Sequence, residues 1–375
     1  MKGRSSKLFF VITGLDFGGA EVQVLGLACE LRARGWDIHV ASMIRPGALA
    51  EAFQREGIPV HDLGMSRGVP SPLGLIRLAR LIHEFSPDIV HSHMVHANLL
   101  ARAVRGFFPH IPFINSGHST REGRRWRYYA YRYSDRFCDR FHTVSKVAQD
   151  NYIRGRFVSS EKLFYLPNGI ATDMKLLNAG DRQRLRSELG IDESFAYLSV
   201  ARFEVPKNHA TLIKAFASLP NRESARLLLV GKGRLEKELR QQSKQLGLEE
   251  GVIFLGSRSN VSELMGACNA LVIGSHWEGL PMVLLEAGLA ELPVVASSAG
   301  DIPQVIESGR SGLLVSTPEP EALADGMRHV RDLSPDSRKQ MASALRCTVL
   351  ERFDMRSIVD RWEEIYAELV PRSSS

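Results

Sequence analysis

The sequence predicts an α/β protein built from two doubly wound domains. Short apolar runs alternate with amphipathic helical stretches along nearly the whole chain. This alternation is typical of parallel sheets that helices cover on both faces. The length of 375 residues suits about two domains. Two successive series of strands and helices therefore predict two separate sheets.

Six strands are expected in each half of the chain. They are expected at residues 7–13, 37–43, 87–93, 112–118, 140–145 and 163–168, and then at 195–201, 226–231, 252–256, 270–275, 293–298 and 312–315. A turn-rich and polar stretch between about 168 and 195 predicts the join between the domains. We expect a first domain at 1–168, a second at 169–352, and a C-terminal helix within 353–375 whose apolar stripe needs a covering surface.

The net charge of +6 is unevenly divided along the chain. Residues 1–168 hold 23 Lys and Arg against 14 Asp and Glu, whereas the remaining residues hold 25 against 28. The asymmetry indicates that the first half faces something anionic, such as a nucleic acid, a phospholipid surface or a phosphorylated substrate.

Composition also indicates the cellular setting. No apolar run approaches the roughly 20 residues of a membrane-spanning helix, and the N-terminal apolar run at 8–12 is too short for a signal peptide. We therefore expect a cytoplasmic protein. The four cysteines are far apart and form no CxxC, so we expect four buried thiols rather than a zinc site or a disulfide framework.

Glycines and cations follow several predicted strands, at the ends where open parallel sheets bind ligands. Gly18 and Gly19 stand directly before a helix, whose N-terminus favours an anion or a polar oxygen. Arg202 and Lys207 follow the first strand of the second domain, where two cations suit a diphosphate. Each feature alone also suits a plain turn or surface cations. Neither GxGxxG nor the P-loop pattern is present, which disfavours an oxidoreductase and an NTPase.

Two glutamates bracket an apolar run in WEGLPMVLLEA at 277–287. Pro281 suits the first turn of a helix, so Glu278 would stand ahead of that helix and Glu286 more than one turn inside it. At a rise of about 1.5 Å per residue, the helix separates them by roughly 7–8 Å. They are therefore not expected to act as an acid–base pair on one bond. They could grip two parts of one ligand, or serve as a helix-start charge and a glutamate paired within the fold.

The pattern from Glu278 to Glu286 resembles the EX7E motif of retaining glycosyltransferases with the GT-B fold. The chain is similar to members of glycosyltransferase family 4 over nearly its whole length. Segments that follow the order of that family are 18–21, 87–93, 166–170, 200–208, 227–233, 252–258 and 293–306. The resemblance implies two Rossmann-like domains that face each other across a cleft, with C-terminal helices that pack back toward the first domain. This chain departs from the family pattern at Ala171 and in the segment 300–304.

The resemblance implies roles for matching positions. Glu278 would contact hydroxyls of the donor sugar, and Glu286 would bind the ribose of the nucleotide. Arg202 and Lys207 would hold the diphosphate and stabilise the leaving charge, and His118 matches an active-site histidine near the sugar. Glu278, His118, Arg202 and Lys207 form the catalytic set that the resemblance implies. Further donor-binding positions are Gly18 and Gly19 beside the phosphate and acceptor, Gly231, Gly256 and Ser257 around the base, and Gly279 and Leu280 at the sugar and phosphate.

No metal or other cofactor is expected. The segment HSHMVHA carries His91, His93 and His96, which raises the possibility of a metal site. We expect a plain structural segment instead, because the family pattern places one there.

A basic, aromatic segment covers residues 120–141, with seven arginines, three acids and seven aromatic residues. Tyr129, Tyr133 and Phe137 recur every four residues, which predicts a helix with an aromatic stripe and a cationic flank. Such a helix can lie on an anionic membrane, and the alternative is a core-facing stripe with solvated arginines. The residues expected on the membrane or acceptor side are Arg124, Arg125, Trp126 and Arg127. Nucleic-acid binding is disfavoured because no recognition motif accompanies the segment.

From the resemblance we expect a retaining hexosyl- or N-acetylhexosaminyltransferase. It would move a sugar from a nucleotide-diphosphate donor, first of all a UDP-sugar, to a lipid-linked saccharide in bacterial-type surface polysaccharide or lipopolysaccharide biosynthesis. The protein would be cytoplasmic or peripheral on the inner face of the membrane. The alternatives are a transferase with a small soluble acceptor, a sugar-nucleotide epimerase of the same architecture, and a catalytically silent nucleotide-sugar sensor.

Overall fold

The structure is a computed structural model, and it describes residues 5–16, 18–66, 71–119, 124–174, 176–316 and 318–370. The chain divides into two compact units. The first unit combines Met1–Ala171 with Asp354–Ser375, and the second is the continuous stretch Thr172–Phe353. Each unit holds one parallel β-sheet, so the prediction of two doubly wound sheets is confirmed.

The first unit begins with seven strands that alternate with six helices. Along the chain they are β1 (Lys7–Ile12), α1 (Gly19–Ala33), β2 (Asp37–Ile44), α2 (Ala50–Arg55), β3 (Val60–Met65), α3 (Pro72–Phe85), β4 (Ile89–His93), α4 (Val95–Arg105), β5 (Phe113–Gly117), α5 (Arg125–Tyr133), β6 (Arg140–Thr143), α6 (Lys146–Gly155) and β7 (Leu163–Tyr165). The strand order across the sheet is β3-β2-β1-β4-β5-β6-β7.

The second unit repeats this plan with six strands. Its elements are α7 (Ala179–Glu188), β8 (Phe195–Val200), α8 (His209–Ala217), β9 (Ala225–Val230), α9 (Glu236–Gln245), β10 (Val252–Gly256), α10 (Val261–Ala267), β11 (Ala270–Ile273), α11 (Met282–Leu289), β12 (Val294–Ser297), α12 (Ile302–Val305), β13 (Leu313–Val315), α13 (Pro320–Asp332) and α14 (Pro335–Phe353). The strand order is β10-β9-β8-β11-β12-β13.

The last helix, α15 (Met355–Leu369), belongs to the first unit. The side chain of Asp354 accepts a hydrogen bond from the backbone N–H of Ser357 and so caps the helix start. Ile358, Trp362 and Tyr366 share one hydrophobic cluster with β1 and α1. The apolar stripe of the C-terminal helix is therefore covered by the first unit.

In both sheets the strand order reverses at the first strand. β1 lies between β2 and β4, and β8 lies between β9 and β11. Open α/β sheets bind ligands beyond the carboxyl ends of their strands at such a reversal. The loops that follow β1 and β4, and those that follow β8 and β11, are therefore the places to search for a site.

Three sequence-based expectations need correction. β3 was not predicted, because it lies at the sheet edge and only Leu63 of its sequence VHDLGM is buried. Cys347 is exposed and Cys29 is partly exposed, so only Cys138 and Cys268 are buried thiols. The aromatic helix ends at Tyr133 rather than continuing through Phe137.

Candidate functional site

In the second unit, backbone hydrogen bonds extend the sheet past the strand ends. The N–H of Ala201 donates to the Val230 carbonyl at 3.0 Å, and the N–H of Gly231 donates to the Gly256 carbonyl at 2.8 Å. The loops after β8, β9 and β10 are therefore neighbours. This brings together the backbone at Arg202, Gly231 and Gly256, which the resemblance assigns to the donor.

Gly231 is the position where these loops come closest. Its φ is 142°, and a Cβ built there would lie 2.0 Å from the Ala201 carbonyl oxygen. Any side chain would push the two loops apart. Glycine at this position thus permits the close approach of the two loops and leaves their backbone open to a ligand.

The carboxylate of Glu278 is buried and held by two side chains. Nζ of Lys207 lies 2.6 Å and 2.8 Å from the two carboxylate oxygens, and the Ser275 hydroxyl donates to Oε1 at 2.6 Å. An ammonium has three donors, so Lys207 retains a donor for a ligand while it fixes Glu278. The expected role of Lys207 at a diphosphate did not include this ion pair.

Backbone contacts hold the loop that carries Glu278. The N–H of His276 donates to the Pro206 carbonyl at 2.8 Å, and the N–H of Asp301 donates to the Gly279 carbonyl at 3.0 Å. A Cβ at Gly300, where φ is 57°, would lie 2.3 Å from the Glu278 carbonyl oxygen. Sequence reasoning missed Ser275 and Gly300 as supports of Glu278. The only signal was their place at the ends of two neighbouring strands.

Glu286 differs from Glu278 because no side chain neutralises it. It is the fifth residue of α11, which begins after Pro281 as N-cap rather than including it in the first turn. Burial raises the pKa of Glu286 above its usual 4.5, and within the described ranges no hydrogen bond or ion pair reaches its carboxylate. The exposed Arg202 guanidinium likewise has no partner there. One carboxylate is paired, and the other has no partner in the described chain.

In the first unit, Gly18 and Gly19 begin α1. Gly18 is the extended N-cap residue, and no side chain caps the helix. Glu21 lies in the first turn and packs against Gly18. This carboxylate already complements the helix dipole, so the α1 start is less attractive to a phosphate than the glycines alone indicated.

His118 follows β5 and is hydrogen bonded to His93, the last residue of β4. Nε2 of His118 lies 3.0 Å from Nδ1 of His93. Burial lowers the pKa of His118 to about 3, with a smaller contribution from His142. Burial also lowers the pKa of His93 well below 6.5. Both rings are therefore neutral at pH 7.

His91 belongs to a separate, buried hydrogen-bond chain. Its Nδ1 lies 2.8 Å from the Tyr366 hydroxyl and its Nε2 lies 2.7 Å from the Ser116 hydroxyl. Ser116 is 2.8 Å from Nδ1 of His142, whose Nε2 lies 2.7 Å from the Leu166 carbonyl. His91 and His93 thus have protein partners. Among the described residues, no group of three His, Cys, Asp or Glu is arranged to hold a metal ion.

The basic segment presents aromatic rings to solvent on α5. Trp126, Tyr129 and Tyr133 are 50%, 48% and 79% exposed, and their spacing places them on one side of the helix. Arg124 and Arg125 are exposed as well, while the half-buried Arg127 lies over the Trp126 ring. The continuation of the stripe to Phe137 is wrong, since Phe137 follows the helix. Phe141, which lies near the segment's end, is buried in β6. Residues 120–123 of the segment lie outside the described residues.

Two family profiles together match most of the chain. Glycosyltransferase Family 4 matches residues 17–174, and Glycosyl transferases group 1 matches residues 181–346. The chain belongs to glycosyltransferase family 4. In this glycosyltransferase the first profile includes Gly18 and His118, and the second includes Arg202, Glu278 and Glu286.

Two curated relatives are informative. An N-acetyl-alpha-D-glucosaminyl L-malate synthase of Bacillus anthracis is 32% identical over 192 residues, which are 51% of this chain and 50% of that protein. A protein of Campylobacter jejuni named GalNAc-alpha-(1->4)-GalNAc-alpha-(1->3)-diNAcBac-PP-undecaprenol alpha-1,4-N-acetyl-D-galactosaminyltransferase is 26% identical. That match covers 97% of this chain and 99% of the relative.

Solved structures show the same fold. Anabaena HepE in complex with UDP-glucose matches with a TM-score of 0.86 at 25% identity, over 96% of this glycosyltransferase and 99% of HepE. WaaG, a glycosyltransferase involved in lipopolysaccharide biosynthesis, matches with a TM-score of 0.76 at 20% identity, which shows the fold alone. The GT-B fold that the sequence predicts is confirmed.

Proposed function

We propose that this glycosyltransferase moves a sugar, with retention of configuration, from a UDP-sugar to a lipid-linked saccharide in bacterial-type surface glycan biosynthesis. The observation that carries the proposal is the contrast between Glu278, fixed by Lys207 and Ser275, and the unpartnered Glu286. The complex of HepE with UDP-glucose supports the donor. The diphosphate-undecaprenol-linked saccharide in the name of the Campylobacter relative supports the acceptor.

The proposed chemistry depends on charge at the leaving group. The bond between the sugar C1 and the diphosphate breaks, and a bond from C1 to the acceptor oxygen forms on the same face. The acceptor proton passes to the leaving phosphate. The Arg202 guanidinium and the third donor of Lys207 would stabilise the charge that develops on the diphosphate. Glu278, held in one orientation, would bind sugar hydroxyls.

Donor binding can be tested without knowing the acceptor. UDP-glucose, UDP-GlcNAc, UDP-galactose and GDP-mannose are compared by calorimetry and thermal shift, since a ligand of the folded state raises its stability. We expect a UDP-sugar to bind, and Glu286→Ala to weaken it at least tenfold, in line with loss of a charged hydrogen bond. Glu307→Ala, at an exposed glutamate, is the matched control. Binding that is equal in both variants would contradict the role of Glu286.

Turnover distinguishes the proposed transferase from the alternatives. Incubation with the nucleotide sugar alone would yield an isomerised donor if the protein were an epimerase. Transfer to L-malate or another small acceptor, as the name of the Bacillus relative suggests for that protein, would favour a soluble acceptor. Binding with no turnover on any acceptor would favour a sensor. We expect transfer to a polyprenyl-diphosphate saccharide, and we expect Glu278→Ala to abolish it.

We also propose that the exposed face of α5 contacts the anionic inner surface of the cytoplasmic membrane, where a lipid-linked acceptor would lie. Aromatic rings and arginines suit the lipid interface, and Trp126, Tyr129 and Tyr133 are exposed beside Arg124 and Arg125. None of the described helices is both long enough and apolar enough to cross a bilayer.

Vesicle sedimentation tests this contact. We expect binding to vesicles with phosphatidylglycerol at low salt, weaker binding at high salt, and loss of binding when Trp126, Tyr129 and Tyr133 are changed to Ser. Leu246→Ser with Leu350→Ser is the control, because both leucines are exposed on the second unit. A protein that ignores anionic vesicles at low salt would contradict the proposal.

A further inference from the structure

The pair His93–His118 differs from the neighbouring buried histidines His91 and His142 in its unused nitrogens. Both nitrogens of His91 and both of His142 have partners. By contrast, Nε2 of His93 and Nδ1 of His118 are buried and have no hydrogen-bond partner in the part of the chain that the structure describes. Two buried polar atoms without partners, on two bonded rings at the carboxyl edge of a sheet, point to a ligand.

The ring of His93 packs against two neighbouring rings. It lies 4.1 Å from the His91 ring and 5.3 Å from the Phe10 ring, centroid to centroid. His93 is 2% exposed, and His91 is itself fixed by Tyr366 and Ser116. His93 therefore has a fixed orientation. The hydrogen bond at its Nδ1 in turn sets the orientation of the ring of the more exposed His118.

Two neutral rings share one hydrogen in their common bond, which leaves two tautomer arrangements. If His118 donates, its Nδ1 is bare and the second hydrogen lies on the deeply buried Nε2 of His93. If His93 donates, its own Nε2 is bare, and the second hydrogen lies on Nδ1 of His118. Either arrangement leaves one buried N–H and one bare nitrogen without a protein partner in the described chain, and a buried N–H calls for an acceptor. His93 is 2% exposed, whereas His118 is more exposed. The second arrangement places the N–H on the residue that a ligand can reach, so it is the favoured one.

We propose that His93 is a positioning residue: it donates from Nδ1 to Nε2 of His118 and so keeps the hydrogen of the His118 ring on Nδ1. There the uncharged N–H is available to the sugar that the resemblance places near His118, since a hydroxyl oxygen matches an uncharged donor, whereas an anionic group would favour a cation. That part of the inference rests on the proposed glycosyltransferase activity. The tautomer assignment rests on the structure of the pair alone.

Histidine-selective 15N NMR tests the tautomers directly, because protonated and bare ring nitrogens resonate apart. We expect Nδ1 of His93 and Nδ1 of His118 to carry hydrogen in the unliganded protein, and His93→Phe to shift the His118 signals. A wild-type His118 with a bare Nδ1 and a protonated Nε2 would overturn the proposal. This readout holds whether or not the protein transfers sugars.

Kinetics tests the positioning role. We expect His93→Phe to lower kcat about tenfold with a smaller change in KM for the donor, the scale of one lost hydrogen bond. His93→Asn, whose amide can donate near the place of Nδ1, should restore most of that loss. His61→Phe is the matched control, since His61 and His39 form another pair at 3.2 Å on β3 and β2. Unchanged kcat in a folded His93→Phe, or an equal loss in His61→Phe, would contradict the role of His93.

Discussion

At the scale of single residues, two glutamates of one motif experience opposite environments. The carboxylate of Glu278 is compensated, because Lys207 and Ser275 bond to it. Glu286 is half-buried without a partner in the described chain, and the pKa of its carboxyl is raised by burial. The sequence shows only their spacing. The partner of Glu278 is 71 residues away along the chain, and no local pattern predicts so distant a contact.

We expect Glu286 to lower the stability of the unliganded protein while it strengthens binding of the nucleotide sugar. Because its folded pKa is raised, the protonated form is favoured in the folded state, and this stabilisation is lost as the pH rises through the folded pKa. Glu286→Gln should therefore raise the stability of the unliganded protein at pH 7.5 by about 1 kcal/mol, with a gain that shrinks toward pH 4. Thermal unfolding across this pH range measures it. The same variant should bind the nucleotide sugar more weakly, and a stability loss at pH 7.5 would contradict the argument.

The ion pair of Lys207 with Glu278 predicts coupled effects on stability. Lys207→Met leaves a buried carboxylate with only Ser275, which should cost about 1–3 kcal/mol. The double variant Lys207→Met/Glu278→Gln should recover most of this loss, because no charge remains unpaired, yet stay inactive. The exposed pair Arg310–Glu307 provides the control, with an expected coupling below about 1 kcal/mol. Urea unfolding of the four proteins in each cycle measures the coupling energies, and equal coupling in both cycles would refute this account.

At the scale of elements, a chain of hydrogen bonds joins α15 to the sheet, and the donor of each bond in it can be assigned. The Leu166 carbonyl can only accept, so the neutral His142 donates to it from Nε2 and accepts from the Ser116 hydroxyl. Ser116 must then accept from Nε2 of His91, whose bare Nδ1 accepts from Tyr366. Every donor in this chain meets an acceptor. The sequence predicted that α15 needs an apolar cover, but it could not predict this polar contact, which joins residues from five separate segments.

Tyr366→Phe tests the value of that chain. The change leaves the buried Nδ1 of His91 without a donor, so we expect a loss of about 1–3 kcal/mol. The control is Tyr197→Phe in the second unit, whose hydroxyl donates to the Met327 carbonyl at 2.9 Å. That carbonyl lies inside α13, where the helix supplies another donor, so a smaller loss is expected. Hydrogen exchange of the β4–β6 amides should report the first change and not the second.

The contrast between predicted and missed elements has a physical reason. Central strands such as β1, β8 and β9 are buried on both faces and form continuous apolar runs, which sequence reveals. The edge strand β3 lacks such a run. The helix α5 was overextended because its aromatic spacing continues past Tyr133, whereas the chain turns there into a short 3₁₀ segment before β6.

At the scale of the whole molecule, the two units differ in how the chain builds them. The second unit is one continuous segment, Thr172–Phe353, whereas the first takes its last helix from beyond that segment. Met355, Ile358, Trp362 and Tyr366 are nearly fully buried in the core of the first unit. Without α15, the face of β1 and α1 that it covers would be exposed to water. The exposure would cost about 25 cal/mol per Å² of apolar surface.

This difference predicts how fragments of the chain behave. Residues 172–353 expressed alone should fold with a cooperative transition and bind a UDP-sugar, because all the predicted donor-binding residues except Gly18 and Gly19 lie there. Residues 1–171 alone should remain unfolded or aggregate. A chain in which residues 354–370 are joined to residues 1–171 through a flexible linker should fold, since the cover of β1 and α1 is restored. Circular dichroism and thermal unfolding of the three fragments measure this. The sharpest control is the linked fragment with Trp362→Asp, which retains the length of α15 but places a charge in its buried apolar stripe. We expect this fragment to stay unfolded. If it folds, α15 acts through something other than its apolar face.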